Sequence, residues 1–485
     1  MAESSVLAKY PDYEVVIGIE VHVQLMTKSK IFCSCVNGPA QAPNINICQI
    51  CSGQPGVLPV LNKQVADYAI MAALATHSKI NTVNQFARKH YFYPDLPKGF
   101  QITQSEIPYC VDGYVMINAE DGSPKKIRLI RIHMEEDAGK SIHSGVTDES
   151  FVDLNRAGTP LLEIVTEPDI SSAYEARAYL KTLRAIVMYL NICSGNMEEG
   201  AFRADTNISV RKKGATKLGT RCELKNINSF KFISDAIEYE IERQIVLLES
   251  GEKVLQQTRL WDTKEKKTTA MRSKEEAADY RYFLEPDLPP LCMDDAWIAR
   301  IKKDLPELPE QKFQRLLAQG LTPYEAEILV SDIELAHYYE SAYSFTKSPQ
   351  LINWILRDLI SYINEAKTTP AQCKITPKKL ADLIELIENG TINNRGAQEV
   401  FEAMTQTGAE PATIVAEKGL KQIGSSDELE LLIKEIVEKN PQQVADYKTG
   451  TKPKLWGFFI GQAMAKTQGR ANPQILNDLL KKYLS

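Results

Sequence analysis

Hydrophobic and polar residues alternate along residues 14–25, where the sequence reads EVVIGIEVHVQL. A period of two is typical of a β-strand with one buried face, and it places Glu20 and His22 side by side on the polar face. Similar patterns, separated by turn residues such as the DG pairs at 112–113 and 121–122, predict more strands. These further strands are predicted at 114–118, 127–133, 161–166, 205–211 and 221–225.

Helical periodicity interrupts this strand-rich half of the chain. Three helices are predicted there, at 63–76, 172–190 and 229–250. Ser172 followed by Glu175 predicts a capping box at the start of the second helix, and Gly251 predicts a glycine cap after the third. Residues 1–294 are therefore predicted to form an α+β domain with an antiparallel or mixed sheet.

Beyond residue 294 almost every segment reads as helix. Thr322-Pro323, Thr376-Pro377 and Asn472-Pro473 each place a cap residue before a proline at the first helical position. The polar stretch QTGAEP at 406–411 interrupts the helical pattern. We therefore predict an all-α domain at 295–405 and a second all-α domain at 406–485.

Composition adds limits on the class of protein. The chain has 485 residues, 44% of them hydrophobic, and a net charge of −6, values that are ordinary for a globular protein of several domains. It contains no run of about 18 apolar residues, so no membrane span is predicted. The first residues lack the basic and apolar regions of a signal peptide, and we therefore expect a cytoplasmic protein.

Positive charge is concentrated at the C-terminal end. Residues 440–485 have a net charge of +5, against −11 for the rest of the chain. The seven basic residues are Lys448, Lys452, Lys454, Lys466, Arg470, Lys481 and Lys482. A solvated helical face and a contact with a polyanion both explain such a segment.

Four of the nine cysteines lie within 19 residues of one another. Cys33 and Cys35 form a C-x-C pair, and Cys48 and Cys51 form a C-x-x-C pair. Two thiol pairs joined by a short loop match the tetrahedral set that structural Zn²⁺ prefers, and the alternative is two unrelated buried pairs. Because four thiolates close the coordination sphere, we predict a structural zinc site in the loop 33–51.

Acidic residues form a second constellation. The stretch HMEEDAGK places Glu135, Glu136 and Asp137 together after His133. His133, Glu135 and Asp137 share one strand parity, and Glu136 has the other. Other predicted strands supply Glu20, His22, Glu163 and Asp205. Carboxylates with one imidazole suit Mg²⁺ or Mn²⁺, and the alternative is a set of solvated carboxylates on sheet edges.

Aromatic and basic residues interleave in FARKHYFYPDLPKGFQITQ, residues 86–104. Arg88, Lys89, Tyr91 and Tyr93 suit a nucleotide or an RNA end, through phosphate pairing and stacking. A packed corner of Tyr and Phe rings is an equally good explanation. Neither a Walker A motif nor a G-x-G-x-x-G fingerprint occurs, so any ATP site is built without a P-loop.

Long motifs throughout the chain resemble the B subunits of the aspartyl/glutamyl-tRNA amidotransferases, the GatB family. They include GIEVHVQL, RKHYFYPDLPKGFQIT, HMEEDAGKS, VDLNRAGTPLLEIVTEPD, MEEGAFRADTNISV, ELKNINSF and DYRYFLEPDLPP, and they occur in the family's order. The resemblance extends from about residue 13 into the C-terminal region. It implies a cradle domain, then a helical linker domain, then a YqeY-like tail domain.

The resemblance also implies an activity. The family's enzymes convert misacylated Glu-tRNA(Gln) to Gln-tRNA(Gln), and often Asp-tRNA(Asn) to Asn-tRNA(Asn). Their B subunit uses ATP and Mg²⁺ to phosphorylate the side-chain carboxylate, and ammonia then displaces the phosphate. The ammonia comes from an amidase-type A subunit acting on glutamine, and a small C subunit stabilises the complex.

Roles for individual residues follow from the resemblance. It implies Mg²⁺ ligation and catalysis by Glu20, His22, Glu135, Glu163 and Asp205. Lys89 is the expected cation for the phosphates. Nucleotide contacts are expected from Arg88, Lys89, Tyr91, Tyr93, Arg203 and Asn207. The tail is expected to bind tRNA through Lys452, Lys454 and Arg470.

Two other functions remain open from the residues alone. A Mg²⁺-dependent phosphatase or nuclease would use the same acidic cluster without ATP. A non-catalytic RNA-binding scaffold would keep the zinc site but would tolerate the change Glu135→Gln.

Overall fold

The computed structural model describes residues 6–143, 149–225, 227–271, 280–423, 426–448, 455–467 and 469–484. It divides the chain into two compact units, Met1–Arg315 and Leu316–Ser485. The predicted boundaries near 294 and 405 stay predictions. Within the described residues, no helix has both the length and the apolar character needed to cross a membrane.

Strands belong to the first unit. They are β1 (Tyr13–Gln24), β2 (Lys79–Ile80), β3 (Val83–Asn84), β4 (Ala87–His90), β5 (Phe100–Thr103), β6 (Cys110–Asn118), β7 (Pro124–Glu136), β8 (Lys140–His143), β9 (Ser150–Asp153), β10 (Pro160–Thr166), β11 (Phe202–Lys212), β12 (Cys222–Lys225), β13 (Thr258–Asp262), β14 (Lys267–Ala270), β15 (Phe283–Leu284) and β16 (Leu291–Cys292). The helices of this unit are α1 (Lys63–Ala75), α2 (Ala173–Tyr189), α3 (Phe230–Glu249) and α4 (Asp295–Lys303).

Nine of these strands form one sheet in the order β14-β13-β12-β11-β1-β10-β7-β6-β2. Its pairs are antiparallel except for β12 with β13, so the sheet is mixed. Every second residue of β1, from Tyr13 to Val23, is buried, and the intervening positions are partly exposed. The buried face packs with α2 and α3 into one core, which confirms the predicted α+β fold with a mixed sheet.

The helix ends in this unit have the predicted capping residues, but the capping box predicted at Ser172 is incomplete. The Ser172 hydroxyl accepts a hydrogen bond from the Glu175 backbone N–H at 3.1 Å, as a capping residue should. The Glu175 carboxylate, however, accepts from the backbone N–H of Ser171 at 2.7 Å rather than from that of Ser172. The predicted capping box is therefore only half formed. Gly251 has a φ of +78° directly after the third helix, as a C′ glycine requires.

Unit 2 is helical. Apart from α5 (Pro309–Ala318), which contains the boundary, its helices are α6 (Pro323–Ser331), α7 (Ile333–Phe345), α8 (Gln350–Asn353), a π-helical segment (Trp354–Leu359), α9 (Ile360–Ala366), α10 (Pro377–Glu388), α11 (Asn394–Thr407), α12 (Pro411–Glu417), α13 (Ser426–Lys439), α14 (Pro441–Lys448), α15 (Leu455–Lys466) and α16 (Pro473–Leu484). Thr322, Thr376 and Asn472 cap α6, α10 and α16 through their side chains, as predicted.

Candidate functional site

The polar face of the large sheet carries a row of charged side chains across four neighbouring strands. His133 of β7 pairs with Glu163 of β10, Glu163 pairs with His22 of β1, and His22 pairs with Arg203 of β11. Residues far apart in sequence become adjacent because antiparallel pairing aligns them in one register. The predicted strands thus bring His22 and Glu163 together.

Two carboxylates and two imidazoles meet at the centre of this row. His22 Nε2 lies 3.6 Å from Glu135 Oε1 and 3.4 Å from Glu163 Oε2. His133 Nε2 lies 3.6 Å from Glu135 Oε2 and 3.3 Å from Glu163 Oε2. The donor atoms of His22, Glu135 and Glu163 all lie within 4.8 Å of one another. We call His22, His133, Glu135 and Glu163 the central cluster.

Charge pairing sets the protonation of this cluster. Burial by itself lowers the pKa of His133, but Glu163 and Glu135 outweigh burial and raise that pKa to about 9. His22 behaves alike, since the same two carboxylates raise its pKa against burial. Burial raises the pKa of Glu163, but His133 and His22 outweigh it and hold the pKa well below its usual range.

The donor set of the central cluster fits a divalent cation. Glu135 is 1% exposed, so its carboxylate is costly to keep charged without a partner. Two carboxylates and an imidazole on three strands offer hard oxygen donors and one nitrogen, which suits Mg²⁺ or Mn²⁺. His133 was not among the predicted site residues. Its shared parity with Glu135 on β7 was the signal that pointed to it.

Glu20 and Asp205 lie beside the central cluster and contact different partners. They face each other across β1 and β11. Glu20 Oε1 accepts a hydrogen bond from Asn207 Nδ2 at 3.2 Å, and Asp205 Oδ2 accepts one from Lys225 Nζ at 2.9 Å. Burial and the nearby carboxylates of Glu163 and Asp205 raise the pKa of Glu20. The five predicted ligands thus share one sheet face but form two adjacent groups.

Lys225 was not predicted as a site residue. Its ammonium contacts Glu223 Oε1 at 3.1 Å as well as Asp205, and these two carboxylates raise its pKa although burial lowers it. The predicted strand at 221–225 put Glu223 and Lys225 on one face, so the parity of that strand could have identified the pair.

The other two acids of the HMEEDAGK stretch have cations of their own. The Glu136 carboxylate pairs with Lys98 on the opposite side of β7 from Glu135. Asp137 Oδ2 accepts a hydrogen bond from Arg203 Nη2 at 2.8 Å and lies 3.6 Å from Arg156 Nε. Three consecutive acids are thus tolerated because successive side chains point to different partners.

Arg88 is held away from the central cluster. Its guanidinium donates two hydrogen bonds to the Glu285 carboxylate, at 2.8 and 2.9 Å, and lies 4.2 Å from the centre of the Phe100 ring. A bidentate pair of this kind orients the arginine firmly. The predicted nucleotide contact by Arg88 would therefore compete with an existing carboxylate.

Lys89, the next residue on β4, faces the other way. Burial lowers its pKa, but Glu135, Tyr282 and Glu163 outweigh burial and raise it. Its Nζ lies 4.8 Å from the centre of the Tyr280 ring. Lys89 is therefore a charged ammonium in the electrostatic field of the central cluster. Tyr280 and Tyr282 were missed by the sequence reasoning, which treated their segment only as a family motif.

The aromatic part of the segment 86–104 divides into packed and exposed rings. The Tyr91 hydroxyl donates to Gln101 Oε1 at 3.4 Å, and the Tyr91 ring lies 5.9 Å from that of Tyr93. Phe92 and Tyr93 are 77% and 66% exposed. Tyr91 thus matches the packed-corner interpretation, and its two neighbours offer free faces for stacking.

The four clustered cysteines converge as the sequence predicts for a metal site. Their sulfur atoms lie within 4.8 Å of one another, with Cys48 Sγ and Cys51 Sγ 4.0 Å apart. Tetrahedral zinc with Zn–S bonds of about 2.3 Å requires sulfur atoms about 3.8 Å apart. A hydrogen bond from Cys33, with help from the Cys48 backbone and Lys30, lowers the pKa of Cys51 to about 4 against burial. The site fits zinc.

The predicted tRNA contacts are located only in part. Lys452 and Lys454 lie outside the described residues. Arg470 donates hydrogen bonds to the carbonyls of Thr467 and Gly419, at 3.2 and 3.0 Å. Its guanidinium therefore contributes to the structure of its own unit, whatever it binds.

Comparison with known proteins identifies the family. Residues 15–299 match the family model described as the GatB/GatE catalytic domain, and residues 337–484 match the model described as the GatB domain. The first match covers the strand-rich part of the chain and contains all the acids and imidazoles of the polar row. The second match lies in the helical part.

Relatives match over almost the whole chain. One is the B subunit of the aspartyl/glutamyl-tRNA(Asn/Gln) amidotransferase of Thermodesulfovibrio yellowstonii, which is 51% identical over 97% of this chain and 99% of the relative. The protein of the same name in Geotalea uraniireducens is 52% identical over 98% of this chain and 99% of the relative. The one in Geobacter sp. strain M21 is 52% identical over 97% of this chain and 99% of the relative. The chain belongs to the GatB family of tRNA-dependent amidotransferase B subunits.

Proposed function

We propose that this chain is the subunit of a tRNA-dependent amidotransferase that activates and amidates the misacylated amino acid. Its substrates are Glu-tRNA(Gln) or Asp-tRNA(Asn), ATP and ammonia. The enzyme is a carbon–nitrogen ligase with glutamine as amido donor. The observation that carries the proposal is the convergence of His22, Glu135 and Glu163 within 4.8 Å, beside the charged Lys89.

The chemistry begins from a poor acyl donor. A carboxylate oxygen of the substrate side chain attacks the γ-phosphorus of ATP, and ADP leaves. Ammonia then attacks the carbonyl carbon of the acyl phosphate, and phosphate leaves with the electron pair of the broken C–O bond. Phosphoryl transfer mainly needs positioning and neutralisation of charge.

The residues of the chain supply that neutralisation. Glu135, Glu163 and His22 would hold Mg²⁺, which when bound offsets the negative charge of the phosphates. The Lys89 ammonium lies in the same field and pairs with phosphate oxygens. Tyr93 and Phe92 present free ring faces, which suit stacking on a base. The larger set of magnesium ligands, with Glu20 and Asp205, stays a proposal.

Glu20 suits a role in proton transfer. Burial and neighbouring carboxylates raise its pKa, so it binds a proton more readily than an ordinary glutamate. Ammonium must lose a proton before its nitrogen can attack. We propose that Glu20, held by Asn207, accepts that proton, while Lys225 pairs with Asp205 beside it.

Zinc and partner subunits complete the proposal. Cys33, Cys35, Cys48 and Cys51 hold a structural Zn²⁺. An amidase-type A subunit supplies ammonia from glutamine, and a small C subunit joins the complex. Lys452, Lys454 and Arg470 contact the tRNA. We propose that the complex acts in the cytoplasm, which suits relatives that are named as tRNA amidotransferase subunits.

The first test follows phosphate from ATP to the substrate. The chain, assembled with its A and C subunits, is given γ-labelled ATP and Glu-tRNA(Gln), first without and then with ammonium. We expect labelled acyl phosphate or its hydrolysis product. Glu135→Gln should lower the rate about 100-fold or more, because a neutral amide replaces a carboxylate ligand of the proposed Mg²⁺ and weakens the charge compensation of the phosphates. Glu14→Gln is the matched control, since Glu14 lies on the polar face of β1, in the same sheet as Glu135, but pairs with Arg211.

The alternatives give different results in this assay. A phosphatase or nuclease would hydrolyse its substrate without ATP and without Glu-tRNA. A non-catalytic scaffold would keep full activity in the Glu135→Gln protein. Either result would refute the proposed activation step.

A further inference from the structure

A fully buried lysine lies beside the four cysteines. Lys30 is 0% exposed. Within the described part of the chain, no ion pair joins Lys30 to an aspartate or glutamate. A buried ammonium without a counter-charge is strongly unfavourable, so the molecule must supply an anion to it.

Each of the three N–H donors of Lys30 has an acceptor. Lys30 Nζ lies 2.7 Å from the Asn46 carbonyl oxygen and 3.4 Å from the Leu154 carbonyl oxygen. The third neighbour is Cys51 Sγ, at 3.6 Å. An ammonium group has three donors, so these contacts account for its full capacity. The sulfur of Cys51 is the only one of the three acceptors that can carry a full negative charge.

A four-thiolate zinc site leaves an excess of negative charge. Four thiolates around one Zn²⁺ carry two net negative charges, and Cys51 is a buried member of this set. Hydrogen bonds to metal-bound sulfur stabilise that charge and orient the ligand. Lys30 lies where it supplies both a hydrogen bond and a positive charge.

We propose that Lys30 is the charge-compensating residue of the cysteine site, through its hydrogen bond to the Cys51 sulfur. This inference rests on the proposed zinc site. Lys30 is a positioning residue and not a ligand, because an ammonium has no lone pair to donate. The negative charge of the thiolates in turn compensates the buried charge of Lys30.

The contacts of Lys30 extend this role beyond the metal. Asn46 lies within the cysteine loop, and Leu154 follows β9 in the segment that leads to β10. Asn155 Oδ1 accepts from the Asn46 backbone N–H at 2.8 Å, and Asn155 Nδ2 donates to the Ala42 carbonyl at 2.8 Å. Lys30 therefore joins the cysteine loop to the segment before the strand that carries Glu163.

The test measures zinc affinity in the full-length chain by competition with a chromophoric chelator. Lys30→Met keeps the length of the side chain and removes its charge. We expect it to lower zinc affinity about 10- to 100-fold, the usual effect of losing an outer hydrogen-bond partner. Lys28→Met is the matched control, because Lys28 lies two positions before Lys30 and is exposed. The zinc affinity of Lys28→Met should equal that of the wild type.

Two further variants separate the contact of Lys30 with the Cys51 sulfur from its hydrogen bonds to the two carbonyls. In a Cys51→Ser background the effect of Lys30→Met should shrink, since the sulfur that Lys30 contacts is gone. Lys30→Gln keeps a donor for the two carbonyls without the charge, and it carries the test if Lys30→Met does not fold.

Three outcomes would overturn the proposal. Wild-type zinc affinity in Lys30→Met would mean that Lys30 does not stabilise the site. Failure of both Lys30 variants to fold with zinc in excess would mean that the fold itself requires the lysine, regardless of metal. A wild-type chain that binds Co²⁺ without a thiolate-to-metal charge-transfer band would refute the zinc site itself, and this result is distinguishable from the other two.

Discussion

At the scale of single residues, the central cluster shows how buried carboxylates coexist. Glu163 lies between His22 and His133, and Glu135 contacts the same two imidazoles. Without a metal ion the imidazoles can be protonated and pair with the carboxylates. When a divalent cation takes their place as the counter-charge, His22 is free to act as a neutral ligand. The cluster is thus charge-balanced in two states.

The pKa of His133 tests this balance. In the metal-free folded protein it is raised to about 9, from an ordinary value of 6.5. Protonated His133 therefore stabilises the fold fully below about pH 6.5, and this contribution is lost as the pH rises through about 9. Removing the chief anionic partner should reverse the shift. We expect Glu163→Gln to lower the pKa of His133 toward or below 6.5, because burial then dominates.

Selective labelling and NMR titration of the histidine ring protons measure this effect in metal-free protein. Glu223→Gln is a suitable control, since Glu223 lies on β12, three strands from β10 in the sheet, and pairs with Lys225. The titration of His133 should be unchanged in this control. A His133 pKa that stays near 9 in Glu163→Gln would contradict the proposed pairing.

At the scale of elements, strand register decides which residues meet. The period-two patterns were sufficient to predict β1, β7, β10, β11 and β12 and the face on which each polar residue lies. They could not predict that β1 lies between β10 and β11, because pairing partners are set by long-range packing and not by local pattern. The convergence of Glu135 with His22 therefore became visible only in the folded structure.

Local rules also missed partners that come from distant segments. Arg88 and Lys89 were both predicted to contact the nucleotide. The strand directs them to opposite sides, Arg88 to Glu285 and Lys89 toward the central cluster. The cysteine loop was predictable because four thiols at short spacing need few long-range contacts to meet. The burial of Lys30 was not predictable, because no local pattern distinguishes a buried lysine near a strand from an exposed one.

The turn after β7 gives a prediction at this scale. A Cβ atom on Gly139 would lie 2.9 Å from the Asp153 carbonyl oxygen and 3.0 Å from the Asp95 carbonyl oxygen. The Gly139 carbonyl accepts a hydrogen bond from Arg156 Nη2 at 2.6 Å. Contacts on several sides therefore fix the backbone at Gly139. We expect Gly139→Ala to destabilise the protein by about 1–3 kcal/mol, because overpacked sites force shifts of the backbone.

Thermal unfolding measures the loss of stability in Gly139→Ala. The Mg²⁺ affinity of the same variant shows whether the backbone displacement extends to Glu135. Gly38→Ala is the control, since a Cβ there would meet no heavy atom within 4 Å. Equal stability of the Gly139→Ala and Gly38→Ala proteins would show that the turn accommodates a side chain.

At the scale of the whole molecule, chemistry and charge are distributed over different parts of the chain. The match to the catalytic-domain model lies within the first compact unit, and the match to the GatB domain model lies within the second. The polar row belongs to the first unit. The basic C-terminal segment belongs to the second, and its net charge of +5 contrasts with −11 elsewhere. Such a division suits an enzyme that holds a large polyanion and modifies one end of it.

The proposed tRNA contacts predict a change in salt dependence. Each lysine that neutralises a phosphate releases a counterion, so Lys452→Ala and Lys454→Ala should each weaken tRNA binding and reduce the slope of log K against log salt by about 1. Binding measured across a salt series separates this effect from a general loss of affinity. Lys378→Ala is the control, since Lys378 pairs with Asp382 at 2.9 Å, and its slope should match the wild type.

Arg470→Ala should behave differently from the two lysine variants. The Arg470 guanidinium donates to the carbonyls of Thr467 and Gly419. The Thr467 carbonyl also accepts from the backbone N–H of residue 470, which Arg470→Ala keeps. The variant therefore loses chiefly the side-chain hydrogen bond to the Gly419 carbonyl, and it should lower stability as well as affinity. Thermal unfolding of the tRNA-free protein separates the two effects. Unchanged salt slopes in both lysine variants would place the phosphate contacts elsewhere on the chain, and a fully stable Arg470→Ala protein with a reduced slope would make Arg470 a direct phosphate ligand.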